Sequence, residues 1–245
     1  MALVFDTRAF FTQGELMSTR AIFFDADGTL LDFNKAEKEA LIKLNKWMST
    51  GHSLSDFTRT YHEVNTKMWM ELEEGQITAE ELKTQRFYRF AKIMNSNRDA
   101  QELSDFYLAA LGEGHFYLKD APELLHTLGN RYPLVMVTNG LSLVQQARFK
   151  ALEFDKIFHK ILISEEVGSA KPETEMFKRG AEAIGMPLGS EILMVGDSLT
   201  SDIAGGIAAG ISTCWFNPDR WENASPFKPD YEISNLMELL EVLES

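Results

Sequence analysis

The stretch Ala21-Ile22-Phe23-Phe24-Asp25-Ala26-Asp27-Gly28-Thr29-Leu30 reads as an apolar strand that ends in two carboxylates and a glycine turn. An unbroken apolar run of this length marks a strand covered on both faces, as in the interior of a parallel sheet. Asp25 and Asp27 then emerge together at its carboxyl end, where open α/β sheets hold their ligands. Residues two apart in extended chain share a side, so both carboxylates can address one small site. Two acids that close repel each other, which favours a bound cation or a proton held on one of them.

Downstream of Tyr132 the chain alternates between short apolar runs and helical segments. Leu134–Val137, Lys160–Ile163, Glu191–Val195 and Ser212–Phe216 have strand length, and Leu143–Leu152, Pro172–Ile184 and Thr200–Ala209 have helical spacing. Pro172 fits a first-turn position, and Gly185 and Gly210 fit the ends of their helices. Such βα alternation predicts a mostly parallel sheet with helices on both faces, which the strand before Asp25 joins. From Asn34 to about Leu111 the text is helical throughout. Ala36, Ala40, Leu44, Trp47 and Met48 recur at helical spacing, as do Tyr61, Val64, Met68 and Leu72. Asn34 with Glu37 and Thr78 with Glu81 read as capping boxes. The helical block is thus an insertion after the first strand, and its aromatic and methionine stripes read as a small bundle core. Arg59, Tyr61, Trp69 and Arg86 lie in it; core or surface roles are the simpler reading, contact with a substrate the other.

The 245 residues suffice for one large domain or two small ones. A formal charge of -13 argues against nucleic-acid and anionic-membrane surfaces, which need a basic footprint. The single cysteine, Cys214, allows no internal disulfide and suits a reducing, cytoplasmic setting; its apolar context reads as packing. No stretch is long and apolar enough to span a bilayer. Residues 1–18 lack the plan of a secretion signal. Met17 stands just before the first strand, so this leader is expected to be peripheral and residues 1–16 dispensable for activity.

Four strand ends carry reactive groups. The first gives Asp25 and Asp27, and the second Thr138-Asn139-Gly140 at a helix start, whose free N–H groups suit a phosphate. The loop after the third carries Lys171-Pro172, and the fourth gives Gly196-Asp197-Ser198 with Asp202 following. In a parallel sheet all of these ends lie along one edge. Taken singly, each has a bland reading. Asp-Ala-Asp-Gly resembles the start of a calcium loop, although such loops follow a helix. Asn139-Gly140 is a common turn, and Lys171 alone is a solvated charge. Glu165 and Glu166 border the same edge as solvated acids, one of them in reach of orienting Lys171. The five histidines show no metal-ligand spacing.

The ordered set Asp-Ala-Asp-Gly-Thr-Leu, Thr-Asn-Gly, Lys-Pro and Gly-Asp-Ser-x-x-x-Asp resembles the four motifs of the haloacid-dehalogenase-like hydrolase superfamily, over about Thr19 to Phe216. Gly196–Asp202 and Cys214-Trp215-Phe216-Asn217-Pro218 are similar to the bacterial pyrimidine 5′-nucleotidases. The resemblance implies a Rossmann-like, doubly wound core of residues 19–33 and 119–245, with an α-helical cap over 34–118. It implies Asp25 as nucleophile, Asp27 as general acid and base, and Thr138, Asn139, Gly140 and Lys171 as the phosphoryl cradle. It also implies Mg²⁺ on Asp25, the Asp27 main-chain carbonyl, Asp197 and Asp202 (directly or through water), with Thr29 orienting the loop around Asp27. The partner would be a small-molecule phosphate ester, a nucleotide first among them. The cap would open and close near Leu31–Asn34 and Lys119–Pro122. A sugar-phosphate phosphatase or mutase and a non-catalytic binding protein on this fold are the alternatives. A dehalogenase needs no leaving-group acid, so Asp27 speaks for phosphoryl transfer. Oligomeric state is not legible.

Overall fold

The computed structural model describes residues 19–74 and 76–244, so the expectation for the leader lies outside the described residues. In chain order, β1 (Ala21–Phe24) is followed by four helices, α1 (Phe33–Met48), α2 (Leu54–Glu73), α3 (Ala79–Ile93) and α4 (Ala100–Gly112). Then come α5 (Ala121–Gly129), β2 (Leu134–Thr138), α6 (Ser142–Ala151), β3 (Lys160–Ile163), a single turn α7 (Ser164–Val167) and α8 (Thr174–Ala183). The chain ends with β4 (Ile192–Gly196), a π-helical turn over Leu199–Ile203, α9 (Ala204–Ala209), β5 (Ser212–Phe216), β6 (Tyr231–Ile233) and α10 (Glu238–Val242).

Every residue of β1 is buried, and the strand pairs in parallel with β2 on one side and β4 on the other. The sheet order is β3-β2-β1-β4-β5-β6, parallel throughout. This is a Rossmann-like, doubly wound arrangement. Its order reverses between β1 and β4, and the crevice at such a reversal is where these sheets bind ligands. Alternate residues divide the core in two. Ile22, Phe24, Met136 and Val195 face one cluster with α5, while Phe23, Val135, Val137 and Met194 face another with Met176 and Phe177 of α8.

Helices α1–α4 build a third hydrophobic cluster around Phe57, Tyr61, Phe87, Phe90 and Tyr107. Their aromatic rings meet edge-on or tilted, with Phe57 and Phe90 at 4.8 Å between centroids. The chain enters and leaves this block side by side. The Asp32 N–H donates to the Phe116 carbonyl, and the Leu118 N–H to that of Leu30, both at 2.9 Å. Among the described residues no helix is long and apolar enough to cross a membrane.

Three local expectations change. The first helix of the block starts at Phe33 and is capped by Asp32, whose carboxylate accepts from the Lys35 N–H at 2.9 Å; Asn34 already lies inside it. Pro172 stands outside α8. The Lys171–Pro172 bond is cis, the Glu173 N–H closes a turn onto the Ala170 carbonyl at 2.8 Å, and the helix begins at Thr174. The edge strand β6 was not anticipated; three residues behind Pro229 and Asp230 carry too little period-2 signal. The Thr78–Glu81 capping box is present in full.

The corrected cap has a measurable consequence. In chemical denaturation followed by far-UV circular dichroism, Asp32→Ala and Thr78→Ala each lower stability by about 1 kcal/mol. Asn34→Ala stays within about 0.5 kcal/mol of the parent. An equal cost at Asn34 and Asp32 contradicts the assignment.

Candidate active site

Asp25 follows β1 directly, and its N–H continues the ladder by donating to the Val195 carbonyl at 3.0 Å. The chain then folds into a tight loop, in which the Leu30 and Leu31 N–H groups both return to the Ala26 carbonyl at 3.0 and 2.8 Å. Gly28 makes this possible at φ +84°, and a Cβ there would lie 2.4 Å from an Asp197 carboxylate oxygen. Two chain segments distant in sequence thus meet backbone against carboxylate.

At the centre of the crevice lies Lys171, with its side chain 1% exposed. Its ammonium has three acceptors: Asp25 Oδ1 at 2.5 Å, the Val137 carbonyl at 2.6 Å and Asp202 Oδ1 at 2.7 Å. The cation is aimed by its own backbone. The Asn139 side chain accepts from the Lys171 N–H and donates to the Lys171 carbonyl, both at 2.8 Å. Asn139 therefore splints Lys171, and what it leaves for a ligand is its main chain. Lys171 is buried, which works against its charge, yet Asp202 and Asp25 hold the ammonium protonated above its ordinary range.

Asp197 completes the acidic set from the end of β4. Its N–H donates to the Thr29 hydroxyl at 3.1 Å, its carbonyl accepts from Trp215 Nε1 at 2.8 Å, and its carboxylate stands at the open side of the crevice. Thr29 Oγ1 lies 3.4 Å from both Asp25 Oδ2 and Asp197 Oδ1, so the loop that carries Asp27 is tied to both carboxylates. Asp202 projects from the π-helical turn, where its second oxygen accepts from the Ser198 N–H at 3.0 Å. One oxygen from each of Asp25, Asp197 and Asp202 falls within 4.8 Å of the others.

Three carboxylates around one ammonium leave two negative charges unbalanced when all are ionised. The imbalance shows at Asp25 and Asp197. Burial, then Asp202 and Asp197, push the Asp25 carboxyl well up against the pull of Lys171. Partial desolvation and Asp202 push Asp197 up to about 6. A hard divalent cation with oxygen ligands answers this imbalance, and the donor set, all oxygen, fits Mg²⁺.

Asp27 belongs to a second network that sequence reasoning missed. Its carboxylate accepts from Gln145 Nε2 and from Arg148 NH1 of α6, each at 2.6 Å. Arg148 is fully buried and also donates from Nε to the Gly114 carbonyl, where the helical block rejoins the core, at 3.0 Å. Gln145 also reaches Thr138 Oγ1 at 3.2 Å, so the second motif and Asp27 share a partner. Glu165 and Glu166 do not orient Lys171. Glu165 accepts from the Ser142 N–H at 2.7 Å and pairs with Lys83 of α3, and Glu166 accepts from Gln146 at 2.5 Å.

The likeness to known proteins agrees with this geometry. A family model described as haloacid dehalogenase-like hydrolase matches residues 19–210. The pyrimidine 5′-nucleotidase YjjG of Escherichia coli is 35% identical over 91% of this chain and 96% of its own length. The pyrimidine 5′-nucleotidase PynA of Streptococcus pneumoniae is 34% identical over 93% and 96%. The crystal structure of the putative HAD-hydrolase YfnB of Bacillus subtilis, described as bound to magnesium and as revealing interdomain movement, superposes with a TM-score of 0.84 at 36% identity, covering 93% of this chain and all of that one. A switch-point crevice holding all four motifs, and relatives of this closeness over nearly the whole chain, lead to one conclusion: the chain belongs to the haloacid dehalogenase-like hydrolase family.

Proposed function

We propose that the protein is a Mg²⁺-dependent phosphomonoester hydrolase working through an aspartyl-phosphate, with pyrimidine nucleoside 5′-monophosphates as substrates. The observation that carries the chemistry is the convergence of Asp25, Asp197, Asp202 and Lys171 beside a separately held Asp27. The substrate class rests on the likeness to YjjG and PynA.

Asp25 attacks phosphorus with a carboxylate oxygen while the bond from phosphorus to the ester oxygen breaks. Asp27 gives its proton to that departing oxygen, then takes one from the water that attacks the aspartyl-phosphate and frees Asp25 and inorganic phosphate. Dividing the displacement in two makes each step easier than direct hydrolysis, which is among the slowest uncatalysed reactions. Lys171, the Thr138 hydroxyl and the main chain at Asn139-Gly140 hold the phosphoryl oxygens and balance their charge. Asp25, the Asp27 carbonyl, Asp197 and Asp202 would hold Mg²⁺, which supplies charge neutralisation at the transferring group. Gln145 and Arg148 act through Asp27, fixing its carboxylate.

Residues 34–118 serve as a cap over a core of 19–33 and 119–245. The connections near Leu31–Asn34 and Lys119–Pro122, next to the paired residues 30–32 and 116–118, are its hinge, and closure excludes water from the crevice. The contact between Lys83 and Glu165 is a latch across the two parts.

Release of inorganic phosphate from a panel of phosphate esters tests this reading. Pyrimidine 5′-monophosphates lead the panel, EDTA abolishes release and Mg²⁺ restores it; isomerised product without free phosphate contradicts it. Asp25→Asn removes turnover with folding intact, and Asp27→Asn lowers kcat about 10²–10⁴-fold. Arg148→Met lowers kcat less than Asp27→Asn and leaves KM nearly unchanged; a loss confined to KM contradicts a role through Asp27.

The raised Asp197 carboxyl gives a pH signature. Between about pH 4 and 6 the Asp197 carboxyl holds its proton more tightly in the metal-free folded protein than in the unfolded chain, so its own contribution to stability falls as pH rises through that window. Mg²⁺ takes the deprotonated form and cancels the loss. The rise in Tm on adding Mg²⁺ is therefore small near about pH 5 and larger near about pH 7.5. Equal rises at both contradict this charge assignment.

A further inference from the structure

The helical block carries a buried guanidinium that its own surroundings leave unsatisfied. Arg86 of α3 is 5% exposed, and its NH1 donates to Asn65 Oδ1 of α2 at 2.8 Å. Its Nε and NH2 are buried and have no hydrogen-bond partner. No carboxylate of the described residues forms an ion pair with it. The rings of Phe87, Tyr107 and Tyr61 lie 5.0, 5.4 and 5.8 Å from the guanidinium carbon. Such contacts stabilise the charge but offer the two free N–H groups no oxygen or nitrogen acceptor. Leaving buried charged donors unmade is costly, so the position calls for an acceptor that arrives from outside.

A cavity adjoins the residue, with the two donors themselves buried behind its lining. Arg86, Asn65 and Trp69 line a cavity of about 110 Å³ whose other wall is Asp27, Asn139, Gly140 and Gln145. The cavity is therefore continuous with the phosphate cradle, on the side where a leaving group would sit. Its volume is that of about four waters at ~30 Å³ each, room for a single ring. Trp69, an exposed aromatic residue, also lines it. Glu37 and Asp27 also line the cavity, but Asp27 is paired with Arg148, which leaves Glu37 alone against the Arg86 guanidinium and no net positive charge to favour an anionic leaving group.

We infer that Arg86, held by Asn65, is the specificity residue that reads the leaving group through neutral carbonyl oxygens on a planar ring, such as the oxygens of a uracil base. The inference rests on the nucleotidase reading above. Adjacent Nε and NH2 donors present a two-pronged fork, which discriminates best against substrates that lack the acceptors, because the donors then stay buried and unpaired.

Steady-state kinetics of the full chain with Mg²⁺ test it, using uridine 5′-monophosphate and the base-free ester ribose 5-phosphate. Arg86→Met is expected to lower kcat/KM for uridine 5′-monophosphate at least tenfold and to change that for ribose 5-phosphate less than threefold. Asn65→Leu gives the same selective loss at smaller size and covers the case in which Arg86→Met does not fold. Equal losses on both substrates, or none on either, in these variants overturn the inference. A parent protein that cleaves ribose 5-phosphate but not uridine 5′-monophosphate overturns the nucleotidase reading and this inference with it. A parent active on both, with unselective variants, overturns the inference alone.

Discussion

The ammonium of Lys171 is the contact on which the site depends. Three carboxylates cannot share a crevice at the end of a buried sheet without a cation, and Lys171 supplies the permanent one. Its position is set three times over: by Asn139 on its backbone, by the Val137 carbonyl, and by Asp25 and Asp202 at its tip. Because these partners come from β1, β2 and the turn after β4, the same contact that compensates charge also locks the strand ends in register. The residual negative charge is what makes the crevice receptive to a divalent metal and, with it, to a phosphate, since screening leaves contact-distance charges to decide the site.

Much of this was legible because it depends on short-range pattern. The apolar run of β1 has no polar face, so it had to be central, and a central strand puts Asp25 at the switch point. Thr138, Lys171, Asp197 and Asp202 could be placed on the same edge from the alternation of strands and helices alone. What resisted reading depends on neighbours remote in sequence. Gln145 and Arg148 look like ordinary polar residues of a surface helix, yet both are buried; only the loop around Asp27 and the returning chain at Gly114 reveal why. A sharper signal was available in hindsight: polar residues three apart on the face that carries Val144 and Phe149.

The misread details have the same origin. Asp32 and Asn34 are both good caps, and the choice is made by the pairing of residue 32 with Phe116, which the local sequence does not contain. Pro172 is favourable at a helix start, but the splint from Asn139 holds Lys171 in a turn that delays α8 to Thr174. Arg86 could have been a core stacker or a surface charge; burial with two of its N–H groups left unpartnered distinguishes it from both. In each case a tertiary contact decided between options that propensity left nearly equal.

The central claim is that the Asp25 carboxylate becomes covalently bonded to phosphorus. Rapid acid quench during turnover of a ³²P-labelled nucleoside monophosphate, followed by peptide mapping, tests it most directly. The expected result is base-labile label on the peptide containing Asp25, absent from the Asp25→Asn protein. Label on any other residue, or steady turnover by Asp25→Asn, would contradict the account.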